Sequence, residues 1–247
     1  MNKPQQKPRH FAWNYGGKNW KLSRSKIDLF VECPRCFYLD NKKGTKRPQF
    51  PSFLLNSAVD ALFKKEFDAY RVKGEAHPIM KENGVDAVPF VHENMNTWRE
   101  NFEGVQFFHE PTKMIISGAV DDIWVTPQEE LIIVDYKSTS KDEVITLDGK
   151  WKEGYKRQME VYQWLMRQLG FSVAERGYFV YANGLLNRDA FNNVLEFETT
   201  LLPYEGDPEW VEDTIFKIKE TLDSEVIPNP AEECEHCKYY YAREISE

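Results

Sequence analysis

The sequence lacks the features that define membrane, secreted and motor proteins. No apolar run approaches the roughly 18 residues that a membrane-spanning helix needs, so we expect no transmembrane segment. The N-terminal residues are basic and lack the apolar stretch and cleavage site of a secretory signal, which predicts a cytoplasmic protein. Neither GxxxxGKS nor GxxxxGKT occurs, so we expect no ATP-driven motor in this chain.

Glycine and proline are too few for a fibrous or low-complexity protein. There are 13 of each among 247 residues, without a period, and the sequence shows no internal repeat. Hydrophobic residues make up 41% and charged residues 29% of the chain, which is typical of folded domains. A chain of this length buries one substantial core or two small ones.

Basic residues are concentrated at the start of the chain. Residues 1–50 carry twelve Lys or Arg and three Asp or Glu, so their formal charge is +9; the whole chain has −8, which leaves −17 for the rest. Since Pro, Gln, Lys and Gly dominate residues 1–20, we predict a basic flexible arm there. Its basic and aromatic side chains could bind a polyanion such as a nucleic acid. The alternative is a solvated arm that offsets the negative charge of the rest of the chain.

Apolar periodicity predicts a mixed α/β fold. Spacings of three and four residues indicate helices between Ser23 and Pro34 and over residues 52–70, 153–169 and 207–222. Runs of β-branched and aromatic residues indicate three strands over 105–110, 113–125 and 131–137 and two more over 177–183 and 194–202. We therefore expect a single α/β domain with one small mixed sheet flanked by helices.

An acidic and a basic side chain follow a buried strand. Residues 131–134 are all apolar, and Asp135, Tyr136 and Lys137 come directly after them. Because side chains alternate along a strand, Asp135 and Lys137 project to one face and Tyr136 to the other. A hairpin with the preceding strand would bring Asp121 near Asp135.

This constellation predicts a metal-dependent hydrolytic site. Two carboxylates suit an octahedral Mg²⁺ or Mn²⁺, and a neighbouring ammonium would orient an attacking water or stabilise charge on phosphorus. A surface salt bridge is the alternative, since Asp-x-Lys occurs about once by chance in a chain of this length at average composition. The apolar strand before Asp135 and the Gly118-x-x-Asp121 segment before that strand favour the catalytic interpretation.

Three motifs in order resemble the PD-(D/E)XK nuclease superfamily in its RecB-like branch, which includes the CRISPR adaptation exonucleases: Gly118-x-x-Asp121, Asp135-x-Lys137 and Gln158-x-x-x-Tyr162. The resemblance runs from about Leu22 to Tyr240. It implies a restriction-endonuclease-like core, with residues 21–247 forming one nuclease domain. It also implies catalytic roles for Asp121, Asp135, Lys137, Gln158 and Tyr162.

One residue departs from this resemblance. Many members of the branch have a metal-binding His on a helix before the strands, and this sequence has Asp60 at the matching place. Aspartate also binds Mg²⁺, so Asp60 is a third candidate ligand. The alternative is a polar residue at the rim of an apolar helix face.

All four cysteines occur in two CxxC pairs, Cys33/Cys36 and Cys234/Cys237. Two such pairs present four thiolates to one metal, although zinc sites usually have their pairs within about 20 residues of each other. The resemblance implies an iron-sulfur cluster that joins the two ends of the nuclease domain. In the family, one of these cysteines usually precedes the nuclease core and three follow it, whereas this sequence has two before and two after. The cysteines could therefore hold either a 4Fe-4S cluster or Zn²⁺. His236 is a further candidate ligand for either group. Disulfides and two unrelated thiol pairs are the alternatives.

The resemblance implies a Mg²⁺- or Mn²⁺-dependent deoxyribonuclease, in particular an exonuclease that acts on single strands or ends. It further implies that the protein acts with a helicase or recombination partner in DNA repair, recombination or CRISPR adaptation. The rival hypothesis is that the protein has this fold but no catalytic activity, and that it serves as a nucleic-acid-binding or scaffold subunit. The intact series of acids and lysine favours the enzyme, and aspartate at the usual histidine position favours the rival. No oligomeric state is predicted.

Overall fold

The computed structural model of the protein describes residues 8–48 and 54–246. They form two compact units. The first comprises the residues up to 51, residues 108–117 and the residues from 209 onward; the second comprises 52–107 and 118–208. Because a compact packing unit need not fold alone, the prediction of a single nuclease domain stays a prediction.

The described residues contain helices α1–α8, strands β1–β8 and two short 3₁₀ helices. In chain order the helices are α1 (Arg24–Glu32), α2 (Pro34–Asn41), α3 (Leu54–Lys73), α4 (Pro78–Glu82), α5 (Met95–Trp98), α6 (Glu153–Gln168), α7 (Glu209–Asp223) and α8 (Glu235–Ser246). The strands are β1 (Leu22–Ser23), β2 (Val88–Pro89), β3 (Val105–His109), β4 (Met114–Gly118), β5 (Asp122–Val125), β6 (Leu131–Thr139), β7 (Arg176–Gly184) and β8 (Phe197–Glu205). The 3₁₀ helices are Phe11–Trp13 and Lys150–Lys152.

In the first unit, proline divides the cysteine-containing segment into two helices. Cys33 has an extended backbone between α1 and α2, and Pro34 occupies the first turn of α2. A residue before proline is disfavoured in the helical region, whereas proline itself suits the start of a helix. Helix α2 was not predicted from the sequence, and neither was α8, which the C-terminal residues form.

Residues 8–20 of the predicted arm contact other residues of the first unit. Arg9 pairs with Asp40 at 2.9 Å, and the Tyr15 hydroxyl donates to an Asp223 carboxylate oxygen at 2.7 Å. Residues 1–7 lie outside the described residues, as does Ser52, where the predicted start of α3 falls. Flexibility of the arm stays a prediction.

A five-stranded mixed sheet, with order β2-β5-β6-β7-β8, forms the centre of the second unit. All neighbouring pairs are antiparallel except β6 and β7, and the connection between those two strands contains α6. A second sheet has the order β1-β4-β3, in which β1 and β4 are parallel. The expectation of a mixed α/β architecture flanked by helices is therefore confirmed, with two small sheets in place of the expected one.

Alternation along β6 fixes which residues face α3. Ile132, Val134 and Tyr136 belong to one buried cluster with Phe63 and Phe67 of α3. The Tyr136 ring lies 5.0 Å from that of Phe63 and 5.5 Å from that of Phe67, measured between centroids. Asp135 must then point to the opposite face, as the period of two predicts.

Two strand boundaries differ from the sequence analysis. The segment predicted as one strand over 113–125 forms β4 and β5, with an interruption at residues 119–121. The chain passes from the first unit into the second between residues 117 and 118, just before this interruption. Strand β8 begins three residues later than predicted, at Phe197. Among the described helices none combines the length and apolarity needed to cross a bilayer.

Candidate active site and cysteine site

The carboxylate of Asp135 is fully buried on β6. The Gln158 side-chain amide donates a hydrogen bond to its Oδ1 at 2.6 Å. The Lys137 ammonium contacts Oδ2, but this contact lacks hydrogen-bond geometry, so Oδ2 is a buried acceptor without a hydrogen bond. The Lys137 ammonium therefore balances the buried charge of Asp135.

Asp121 lies beside Asp135, as the predicted hairpin requires. Strands β5 and β6 are antiparallel with Asp122 opposite Val134, which places Asp121 level with Asp135. The backbone N–H of Tyr136 donates to Oδ2 of Asp121 at 3.0 Å. The turn before β5 and the end of β6 therefore bring the two acids together.

Asp60 of α3 joins the same group of charges through a lysine. Lys64 Nζ lies 2.9 Å from an Asp60 carboxylate oxygen and 3.5 Å from Oδ1 of Asp121. Because residues four apart share a helix face, α3 presents Asp60 and Lys64 together while Phe63 packs in the core. Lys64 was not among the predicted site residues; its spacing of four from Asp60 was the available signal.

Burial and like charge alter the acidity of these groups. Burial, with the carboxylate of Asp121, raises the pKa of Asp135 to about 7 against the lowering effect of Lys137. Burial and the same Asp121 carboxylate raise the pKa of Asp60. Burial alone would lower the pKa of Lys137, but the carboxylates of Asp135 and Asp121 outweigh it and raise that pKa. The carboxylates thus repel one another, and a cation between them would be stabilised.

Helix α6 presents Gln158 and Tyr162 on one face. The Gln158 amide that contacts Asp135 also donates to the Tyr162 hydroxyl at 3.3 Å. Gly118 accommodates the tyrosine, because a Cβ at that position would lie 2.6 Å from Cε1 of Tyr162. The glycine of the Gly118-x-x-Asp121 motif thus has a steric explanation.

Asp122, next to Asp121, belongs to a different network. Its buried carboxylate pairs with Arg71 and with Arg99, the latter at 3.0 Å, and accepts a hydrogen bond from the Tyr136 hydroxyl at 2.7 Å. Arg99 also donates to the backbone carbonyl of Asp121 at 3.0 Å. These contacts supply the Asp122 carboxylate with partners from within the protein, and the Arg99 hydrogen bond fixes the backbone at Asp121.

The donor set fits a hard divalent cation. Asp121 and Asp135 supply carboxylate oxygens, and one of them, Oδ2 of Asp135, accepts no hydrogen bond. Oxygen donors of this kind suit Mg²⁺ or Mn²⁺ rather than softer metals. The structure brings together the predicted residues Asp60, Asp121, Asp135, Lys137, Gln158 and Tyr162, and their roles stay predictions.

The first unit brings the four cysteines together from the two ends of the chain. The donor atoms of Cys33, Cys36, Cys234 and Cys237 all lie within 4.8 Å of one another, and all four residues are buried. The separations between sulfur atoms are 3.6 Å for Cys36–Cys234, 3.6 Å for Cys36–Cys237 and 3.9 Å for Cys33–Cys237. All four are free thiols, so the disulfide alternative is not what the structure contains.

These separations fit one tetrahedral ion. With a Zn–S bond of about 2.3 Å, tetrahedral geometry places the sulfurs about 3.8 Å apart. In a 4Fe-4S cluster each thiolate binds a different iron, which requires a wider spacing. Among the residues that the structure describes, these cysteines are the only group of three or more potential ligands this close together, and His236 is not part of it.

Backbone and side-chain donors surround the sulfurs. Burial would raise the pKa of Cys33, but the backbone N–H groups of Ala231 and Cys36 outweigh it and lower that pKa to about 7. Burial raises the pKa of Cys36 to about 11. The Arg47 guanidinium donates to Cys234 Sγ at 3.5 Å and pairs with Glu32 at 2.6 Å. A cation beside four sulfurs would balance the negative charge of thiolates if they held a metal ion.

A sequence profile of the PD-(D/E)XK nuclease superfamily matches residues 21–241, nearly the whole chain. No curated protein matches the chain. Among solved structures, the crystal structure of SSO0001 is similar to it with 20% identity and a TM-score of 0.29, covering 52% of this chain and 50% of that chain, about half its length.

The chain belongs to the PD-(D/E)XK nuclease superfamily, a class of enzymes that hydrolyse phosphodiester bonds. The resemblance to that superfamily is therefore confirmed. Its RecB-like branch and its link to CRISPR adaptation stay predictions.

Proposed function

We propose that the protein is a metal-dependent deoxyribonuclease, an exonuclease that acts on single strands or ends. The observation that carries the proposal is the buried Asp135 carboxylate, which contacts Lys137 and Gln158 and lies level with Asp121. The order of these motifs supports the RecB-like branch, and with it a repair, recombination or CRISPR-adaptation role beside a helicase or recombination partner. The free thiols support a reducing compartment such as the cytoplasm.

Each side chain has a role that its contacts support. Lys137 orients the attacking water and stabilises negative charge on the phosphate, because its ammonium lies beside the carboxylates. Gln158 fixes the orientation of Asp135 through its 2.6 Å hydrogen bond and is itself bonded to Tyr162. Lys64 lies between Asp60 and Asp121 and is placed to contact a phosphate oxygen.

Asp121 and Asp135, with Asp60 nearby, would hold Mg²⁺ or Mn²⁺, which supplies Lewis-acid stabilisation of the phosphate and lowers the pKa of a bound water. At the cysteine site we propose a single Zn²⁺ in place of the iron-sulfur cluster that the resemblance implies. Three sulfur separations of 3.6–3.9 Å, with all four sulfurs within 4.8 Å of one another, support this choice.

A cleavage assay tests the nuclease proposal. Purified wild type, Lys137→Ala and Asp135→Asn are incubated with end-labelled single-stranded DNA, duplex DNA and single-stranded RNA, in Mg²⁺, Mn²⁺ or chelator. We expect metal-dependent shortening of DNA from an end, reduced at least about 100-fold in both variants, since a general or electrostatic catalyst contributes about 10² to 10⁴ in rate. The matched control is Lys81→Gln, which removes an exposed lysine of α4.

Two results would contradict the proposal. Equal cleavage by wild type and Lys137→Ala would place the chemistry elsewhere. Salt-sensitive DNA binding without cleavage in any metal would favour the scaffold hypothesis.

Metal analysis of protein purified without air tests the cysteine site. We expect one zinc per chain and no visible absorption band from iron and sulfur. Four iron atoms per chain with such a band would contradict the single-ion assignment.

A further inference from the structure

Lys152 lies close to the Asp135–Lys137 pair, because its ammonium and that of Lys137 both contact the ring of Tyr155. Lys152 Nζ lies 5.1 Å from the Tyr155 ring centroid and 4.7 Å from that of Tyr181, whose hydroxyl it contacts at 2.7 Å. Lys137 Nζ lies 4.8 Å from the same Tyr155 ring. The two ammonium groups therefore both lie near one aromatic ring, that of Tyr155.

The charge of Lys152 has no acidic partner within residues 8–48 and 54–246. Nearby lysines differ in this respect, since Lys137 pairs with Asp135 and Lys156 pairs with Glu153 at 2.8 Å. Burial lowers the pKa of Lys152, and the positive charges of Lys141 and Lys137 lower it further. A partly buried cation that faces like charges gains most from a bound anion.

Trp151 precedes this lysine and is the most exposed large apolar side chain in the described part of the chain. Its exposed fraction is 94%, and the 3₁₀ helix Lys150–Lys152 places a lysine on either side of it. An indole exposed to this extent can stack on a planar group of a binding partner. Aromatic rings interleaved with cations are typical of surfaces that bind single-stranded nucleic acid, where the rings stack on bases and the cations contact phosphates.

We propose that Trp151 and Lys152 form a subsite for single-stranded nucleic acid, in which Lys152 binds a phosphate next to the cleaved one and Trp151 stacks on an unpaired base. This inference rests on the proposed nuclease function and adds a basis for strand selection. Bases in a duplex are covered by their neighbours, so an exposed indole gains little from paired DNA. The flanking lysines favour a polyanion over a protein partner.

Binding measurements test the subsite separately from cleavage. Fluorescence anisotropy follows a labelled 20-nucleotide oligothymidine and a duplex of the same length, without added divalent cation. The variants are Trp151→Ala, Trp151→Phe and Lys152→Gln. The matched controls are Phe102→Ala, at an aromatic residue with an exposed fraction of 87%, and Lys81→Gln.

We expect Trp151→Ala to weaken binding of the single strand about 5- to 20-fold and that of the duplex less than about 2-fold, since one stacked base contributes this much affinity. Trp151→Phe retains a ring and should stay within about 3-fold of wild type. Lys152→Gln should weaken both substrates and reduce the slope of log affinity against log salt by about one, since one phosphate contact is lost. The two controls should bind as wild type does.

The outcomes separate this inference from the nuclease proposal. If wild type cleaves DNA and Trp151→Ala binds and cleaves single strands equally well, the subsite is wrong and the nuclease stands. If the Trp151 and Lys152 variants lose single-strand binding while wild type cleaves nothing, the subsite stands and the nuclease is wrong. An equal loss for single strand and duplex in Trp151→Ala would contradict stacking on an unpaired base.

Discussion

Gly118 and Tyr162 are in steric contact that no larger residue at position 118 would permit. A Cβ at Gly118 would lie 2.6 Å from Cε1 and 3.0 Å from Cδ1 of Tyr162, and 3.2 Å from Leu165. We predict that Gly118→Ala displaces the tyrosine ring, lowers the free energy of unfolding by about 1–3 kcal/mol and slows DNA cleavage. Urea unfolding and the cleavage assay measure the two effects.

Gly184→Ala is the control for that substitution, because the nearest atom to its Cβ would be 3.6 Å away, an ordinary contact. If Gly118→Ala is as stable and as active as Gly184→Ala, the close packing on Tyr162 does not constrain the site. The double variant Gly118→Ala/Tyr162→Ala should lose less stability than the sum of the single variants, since both changes act on one contact.

Replacement by asparagine should affect mainly stability at Asp122 and mainly DNA cleavage at Asp121. Asp122→Asn leaves Arg71 and Arg99 without their fully buried carboxylate, so we expect a loss of about 3 kcal/mol in the free energy of unfolding. Asp121→Asn retains an oxygen for the Tyr136 N–H and should change stability by less than about 1 kcal/mol while it abolishes cleavage. Thermal unfolding with parallel cleavage assays distinguishes the two roles, and equal stability losses would refute them.

The sequence was sufficient to predict which face each β6 residue occupies. Strand alternation placed Asp135 and Lys137 together, and helical spacing placed Gln158 and Tyr162 on one face of α6. The different environments of Asp121 and Asp122 were not predictable, because they depend on where β5 begins and on arginines distant in sequence. Neither α2 nor α8 was predicted, because their residues pack around the cysteines, a long-range contact that local periodicity does not report.

Arg47 should strengthen metal binding at the cysteine site without contacting the metal. Its guanidinium donates to Cys234 Sγ at 3.5 Å and offsets the negative charge of four thiolates around a divalent ion. We predict that Arg47→Met loses zinc to a competing chelator at a concentration about 10- to 100-fold lower than wild type does, with partial rescue by Arg47→Lys. Lys46→Met is the neighbouring control. Equal retention in all variants would show that the guanidinium does not act on the metal.

The Lys26 ammonium should make stability depend on pH above neutrality. Burial, with the nearby positive charge of Arg9, lowers the pKa of Lys26 from about 10.5 to about 7, although Asp40 opposes this. The amine donates to the Lys21 carbonyl at 2.6 Å. Between about pH 7 and 10 the unfolded chain therefore holds a proton that the folded chain lacks, so stability from this group rises with pH.

Lys26→Met tests this linkage. Below pH 7 wild type bears the full cost of a buried charge, so the variant should be the more stable protein there. Between about pH 7 and 10 the free energy of unfolding of wild type should approach that of Lys26→Met. The difference should decrease by up to about 1.4 kcal/mol per pH unit, the value for one proton. Urea unfolding from pH 6 to 10 measures it, with the exposed Lys18→Met as control. A constant difference between wild type and Lys26→Met over this range would mean that Lys26 stays charged in the folded protein.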